Sequence, residues 1–186
     1  MTTPLDLALT TITLDELAFD RLTVNPFLAE TRQRLLCFPL GVRDSALLAL
    51  EHIAQVFRVE VAEILPIPDM SDCILGIGNW QGEMLWLVDL PALVGYPSLV
   101  RQKQIPESLI VIVIQVNHKT LGLAVQQVND VELHDLQQLQ PATIGLFLPR
   151  FLPFVLGTLP GSSHAVLDVN AIASDSLWQE PWSIDS

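Results

Sequence analysis

After residue 31 the chain is a succession of short runs of valine, isoleucine and leucine, separated by glycine, proline, asparagine and aspartate. β-Branched side chains suit a pleated surface and the separating residues suit turns, so the pattern predicts a mainly β domain. Candidate strands fall at 34–40, 46–50, 54–61, 83–90, 108–116, 120–128, 130–134 and 165–169. Phe57, Val59 and Val61 alternate with Arg58 and Glu60, and this period of two predicts a half-buried strand. Residues 109–114, LIVIVI, are apolar at every position, which predicts a strand covered on both faces. Residues 76–82, GIGNWQG, read as a loop that presents Trp80 between turn residues, with Trp86 in the core on the strand that follows. Residues 1–32 differ in pattern, and Asn25 and Pro26 break any long helix there. They are expected to form a partly flexible leader with a short helix over 13–19, and 174–186 a C-terminal tail.

Two stretches echo one another. Residues 74–93 run Ile-Leu-Gly, a glycine-containing turn, an apolar strand and Val-Asp-Leu; residues 155–172 run Val-Leu-Gly, a Gly-Ser turn, an apolar strand and Leu-Asp-Val. Gly76 thus matches Gly157, and Asp89 matches Asp168. Upstream, Leu50, Ile53 and Val56 match Val125, Val128 and Val131 at one constant spacing. Two similar β units, each too small for an open sandwich, predict two small barrels packed on each other. Asp89 and Asp168 end apolar strands, where a carboxylate accepts hydrogen bonds from the backbone N–H groups that follow; they read as structural caps.

Composition narrows the function. A chain of 186 residues holds one large domain or two small ones. With 9 basic against 21 acidic residues and a net charge of -12, it is ill suited to nucleic acid or an anionic membrane as partner. Only 16% of residues are charged and 50% are hydrophobic, against a usual charged share of about 25%. Such a surface keeps apolar side chains, and an exposed apolar patch points to a protein partner. The first 30 residues carry Arg21 as their one base, unlike a signal peptide. The 109–114 run is far shorter than the ~20 residues of a membrane helix. A cytoplasmic protein without direct membrane insertion is expected, with Cys37 and Cys73 as buried free thiols.

No catalytic or metal-binding motif emerges from the sequence. Asp69, Asp72, Asp89, Asp130, Glu132 and Asp135 are of types used in acid–base or metal sites, yet Asp69-Met70-Ser71-Asp72 lacks the alternating ligands and glycine of a calcium loop. Ser162, Ser163, His164 and Asp168 hold the residue types of a hydrolase triad, but neighbours along a turn and strand point apart. His52, His118 and His134 have no partner at a metal-ligand spacing, and Gly76, Gly78 and Gly82 lack the order of a phosphate loop. No metal and no cofactor are expected. Trp80 is either folded back over a barrel end or partly exposed as a binding anchor, since a rigid aromatic gives much contact area at small entropic cost. A small apolar-ligand-binding barrel is the rival reading, and a hydrolase using Ser163 and His164 a third.

Residues 74–90, ILGIGNWQGEMLWLVDL, resemble the signature of CheW-like adaptor domains, in which a turn of the form apolar-x-Gly-apolar-x-Asn-apolar-Arg-Gly leads into a strand ending in apolar-Asp-Leu. Blocks at 35–41, 109–131 and 155–172 agree in order and spacing, so the resemblance covers roughly 33–173. It implies two interleaved five-stranded SH3-like barrels with short helices. It also implies a non-enzymatic coupling protein of two-component signalling that binds the regulatory domain of a CheA-type histidine kinase and the cytoplasmic tip of methyl-accepting receptors, recruited to receptor arrays. Gly76, Asn79, Gly82, Asp89, Gly122 and Val125 stand at the family's motif positions, and most of these read as structural. Gln81 replaces the family's usual Arg, keeping donors but losing the charge and the bidentate fork. With its leader, the chain looks most like the PilI-like or PixI-like adaptors of twitching motility or phototaxis. Phe57, Val59, Trp80, Gln81 and Val131 are the expected partner contacts.

Overall fold

A computed structural model describes residues 11–12 and 31–178. The expected leader helix at 13–19 lies outside the described residues. Among the described residues, eleven strands make two sheets: β1 (Thr11–Ile12), β4 (Ile53–Glu60), β5 (Ile74–Trp80), β6 (Glu83–Asp89), β7 (Ser108–Val116) and β8 (Lys119–Val125) in the order β1-β4-β7-β8-β6-β5, and β2 (Gln33–Pro39), β3 (Ser45–Ala49), β9 (Asp130–His134), β10 (Val155–Thr158) and β11 (Ala165–Leu167) in the order β10-β11-β3-β2-β9. Helices α1 (Leu90–Leu93) and α2 (Val169–Ala173) follow β6 and β11. No helix among the described residues is long and apolar enough to cross a membrane.

The two sheets repeat one design. In each, an antiparallel run of three strands (β4-β7-β8 or β9-β2-β3) meets a parallel partner (β6 or β11), which pairs antiparallel with a last strand (β5 or β10). Each then curls shut in the same way. Leu65 and Ile77 exchange two backbone hydrogen bonds of 2.8 Å, and Gln140 and Thr158 exchange two of 2.8 Å. The expected pairs fall at equivalent places. Gly76 and Gly157 sit at matching register shifts beside the closing segment, where an added Cβ would lie 2.0 Å from the Leu65 carbonyl oxygen and 2.6 Å from that of Gln140. Asp89 caps α1 by accepting from Ala92 N–H at 3.0 Å, and Asp168 caps α2 by accepting from Ala171 N–H at 3.1 Å.

The barrels are interleaved. Hairpin β2–β3 belongs by sequence to the first repeat yet completes the second barrel; hairpin β7–β8 opens the second repeat and completes the first barrel. This gives three apolar cores. Leu85, Leu87, Leu109, Val111 and Val113 fill the first barrel, and Leu35, Cys37, Leu47 and Val166 the second. The largest core lies between them and takes Leu36, Phe38 and Leu48 from one side and Val56, Ile110, Ile112, Ile114 and Leu123 from the other. The all-apolar run 109–114 is thereby explained, since its odd positions face the barrel interior and its even positions face the inter-barrel core.

Four sequence expectations change. Residues 76–80 are not a loop but most of β5, with only Gln81 and Gly82 left as the turn. The strand expected over 120–128 stops at Val125, and β10 was not expected as a strand. At the C-terminus, packing continues into the expected tail, where Leu177 and Trp178 lie against the inter-barrel core and Trp178 Nε1 donates to the Ile172 carbonyl at 2.8 Å.

Candidate partner-binding surface

The β5–β6 hairpin turns at Gln81 (φ 54°) and Gly82 (φ 82°), both left-handed, a backbone twist that matches the twist of the flanking strands. The Asn79 side chain accepts from Gly82 N–H at 3.1 Å and pins the turn. This geometry carries Trp80 back across the barrel seam, where Nε1 donates to Gln55 Oε1 on β4 at 2.7 Å and the half-buried ring packs against the first barrel's interior. The exposed Gln81 amide reaches the same oxygen at 3.4 Å. Trp80 is therefore a latch from the end of β5 to β4, with part of its ring left to solvent.

The other expected contacts are placed unevenly. Phe57 is half-buried on β4 beside the same interior. Val59 is 5% exposed and belongs to the first barrel's core, so it offers no surface here. The alternation that suggested exposure runs the other way, because Arg58 and Glu60 take the outer face. Val131 is half-buried on β9 and packs on the inter-barrel core, on the other sheet from Trp80. Gln55 was missed by the sequence reading; a glutamine in a strand carries no sign that a Trp 25 residues on will meet it.

Three residues at the family's motif positions are closely packed. Gly122 lies on β8 where an added Cβ would meet Leu87 at 2.5 Å and Val111 at 2.9 Å. Asp89 is fully buried and, besides capping α1, accepts from Ser98 Oγ at 2.8 Å and Leu99 N–H at 2.7 Å. Val125 is buried between the barrels.

A second surface lies where the two barrels meet. A groove of about 540 Å³ is lined by Leu40, Gly41 and Val42 from one barrel and Pro91, Tyr96 and Leu99 from the other. Tyr96 Oη donates to Asp44 at 2.5 Å, tying the β2–β3 turn to the segment after α1; burial, then Asp44, holds its hydroxyl well above the usual range. Val42 is fully exposed, and Ile144, Leu146 and Leu148 expose further apolar surface elsewhere.

Among the described residues, no hydrogen bond joins the side chains of Ser162, Ser163, His164 and Asp168 into a triad. Ser162 Oγ accepts from the His164 backbone N–H at 3.0 Å, and Asp168 is occupied by the cap of α2. Asp72 pairs with Arg101 at 2.8 Å on the surface, which holds its carboxyl below the usual range. One grouping does form that spacing along the chain conceals: ligand atoms of Cys37, Glu132 and His164 lie within 4.8 Å of one another. Burial first, then Glu132 and Asp130, pushes the Cys37 thiol up to about 11.

No curated protein matches the chain. Among solved structures it resembles the scaffolding protein TtCheW from Thermoanaerobacter tengcongensis, with a TM-score of 0.61 and 19% identity over 74% of this chain and 89% of that one, a likeness of fold. The model of the CheW-like domain matches residues 34–177, the span of the two barrels and their helices, and the chain therefore belongs to the CheW-like domain family.

Proposed function

We propose that this chain is a non-enzymatic adaptor that joins a CheA-type histidine kinase to methyl-accepting receptors in a chemotaxis, twitching-motility or phototaxis pathway, with the PilI-like or PixI-like branch favoured by Gln81 and the N-terminal leader. The observation that carries the reading is the match of the CheW-like domain across both barrels. Two surfaces support it. The rim formed by Gln55, Phe57, Trp80 and Gln81 is a partly exposed aromatic ringed by amide donors and acceptors, the composition of a protein-binding anchor. The apolar inter-barrel groove suits a helical receptor segment laid along it. The reading as an apolar-ligand barrel is less favoured, since leucine and valine side chains fill both barrel interiors.

Binding of the cognate kinase's regulatory domain, measured by titration calorimetry, tests the assignment. Trp80→Ala weakens it by about 1 kcal/mol or more, roughly fivefold. Val42→Asp leaves kinase binding intact and reduces receptor recruitment. Full-strength kinase binding by Trp80→Ala removes the rim from the interface, and failure of the wild-type chain to bind either partner overturns the adaptor reading.

A further inference from the structure

We propose that Cys37, Glu132 and His164 form a site for one divalent transition-metal ion, with zinc as the best fit, at the edge of the second barrel's interior. The three residues come from separate segments: Cys37 from β2, Glu132 from the adjacent β9, and His164 from the turn before β11. Cys37 pairs with Asp130, so Glu132, two residues further along β9, is its diagonal neighbour on the same sheet face. His164 completes the group, and the ligand atoms lie within 4.8 Å of one another. Ligand edges in a tetrahedral zinc site are roughly 3.3–3.8 Å, from bond lengths of about 2.0–2.3 Å, so side-chain rotation of about 1 Å closes the set. Sulfur, imidazole nitrogen and carboxylate oxygen together select zinc or cobalt over magnesium or calcium.

Two further observations point the same way. His134 Nε2 lies 2.5 Å from Glu132 Oε2, the outer hydrogen bond that orients a ligating carboxylate, while the Cys37 thiol hydrogen-bonds the same carboxylate and gives up that proton when the ion binds. Charge closes as well. A cation of charge +2 with one thiolate and one carboxylate is neutral, so the ligands themselves balance the ion at a site where Cys37 is buried and Glu132 and His164 are half-exposed, and the Asp130 carboxylate that acts on Cys37 further favours a cation there. Binding forms the sulfur–metal bond as the thiol proton passes to buffer, and water fills the fourth position. The half-exposed Glu132 and His164 leave a path for entry.

The test is titration of the chelator-treated full chain with Co²⁺ as spectroscopic probe. Expected are uptake of one equivalent, a thiolate-to-cobalt charge-transfer band in the near ultraviolet, the intense visible bands of a tetrahedral ion, and their loss on adding Zn²⁺. Cys37→Ser abolishes the charge-transfer band while Cys73→Ser keeps it. His164→Ala and Glu132→Gln, at half-exposed positions that keep the fold by circular dichroism, weaken uptake at least tenfold, and His134→Ala weakens it by about 10–100-fold. A wild-type chain that gives no charge-transfer band, a band that survives Cys37→Ser, or uptake unchanged in both His164→Ala and Glu132→Gln overturns the site.

Discussion

Glycine does two different jobs in this molecule, and the difference is measurable residue by residue. At Gly82 an added Cβ meets nothing within 4 Å, and only the positive φ of 82° resists a side chain. At Gly76 the φ is 135° and the Cβ would sit 2.0 Å from a backbone oxygen of the segment that closes the barrel. A carbonyl held by its own hydrogen bonds cannot swing aside, so relief requires Leu65 to leave Ile77 and the seam to open. Gly82→Ala is therefore expected to cost about 1 kcal/mol, and Gly76→Ala more than about 3 kcal/mol by adding lost closure to strain. Urea denaturation of the two variants checks the order, and equal midpoints would show that Gly76 is not the closure residue. The pairing of Gly76 with Gly157 was legible in the sequence as a repeated apolar-Leu-Gly phrase, but the reason for it was not. That reason is a carbonyl oxygen eleven residues upstream in one barrel and seventeen in the other, and no local pattern encodes it.

At the scale of elements, propensity located strands that bury β-branched side chains and missed strands that make room for others. β7 was evident because each of its faces meets a different core. Gly76, Gly78 and Asn79 are poor strand formers and give β5 the pattern of a loop; yet at Gly78 an added Cβ would lie 2.9 Å from the Leu87 side-chain tip of the neighbouring strand, which would have to give way. The candidate rim was half legible for the same reason: Trp80 stood out, whereas its partner Gln55 is fixed by sheet curvature. The two-residue strand β1 follows a further rule. It pairs Thr11 with Phe57 and Ile12 with Val56, covering the side of β4 opposite β7. A bare strand edge is a template for another chain. Deleting residues 1–30 is thus expected to raise concentration-dependent self-association, seen by light scattering as a larger mass than that of the full chain at equal concentration. An unchanged mass would show that β1 does not protect this edge.

For the whole molecule, the apolar excess that suggested exposed surface has a largely internal destination. Two small barrels need a third core to hold them together, and the even positions of β7 and the outward positions of β2 and β3 supply it. Interleaving makes that core and both barrels depend on the two repeats at once. A first fragment ending in the exposed segment 101–105 keeps β4, β5 and β6 but loses β7 and β8, and with them Leu109, Val111, Val113 and Ala124 from the barrel interior. The remaining fragment keeps β9, β10 and β11 without β2 and β3, and so loses Leu35, Cys37 and Leu47. Neither half owns a complete barrel. In the intact fold, however, the seam at 101–105 crosses no strand, since β7 begins only at Ser108. Cutting the chain there, at an engineered protease site, is expected to leave a folded complex of two fragments that co-elute and keep the circular dichroism of the intact protein. Separated in denaturant and refolded alone, each fragment should lack a cooperative unfolding transition, and mixing them in equal amounts should restore one. A tandem of independent barrels would behave in the opposite way, with one half folding unaided, and that outcome would refute the strand exchange on which the inter-barrel core rests.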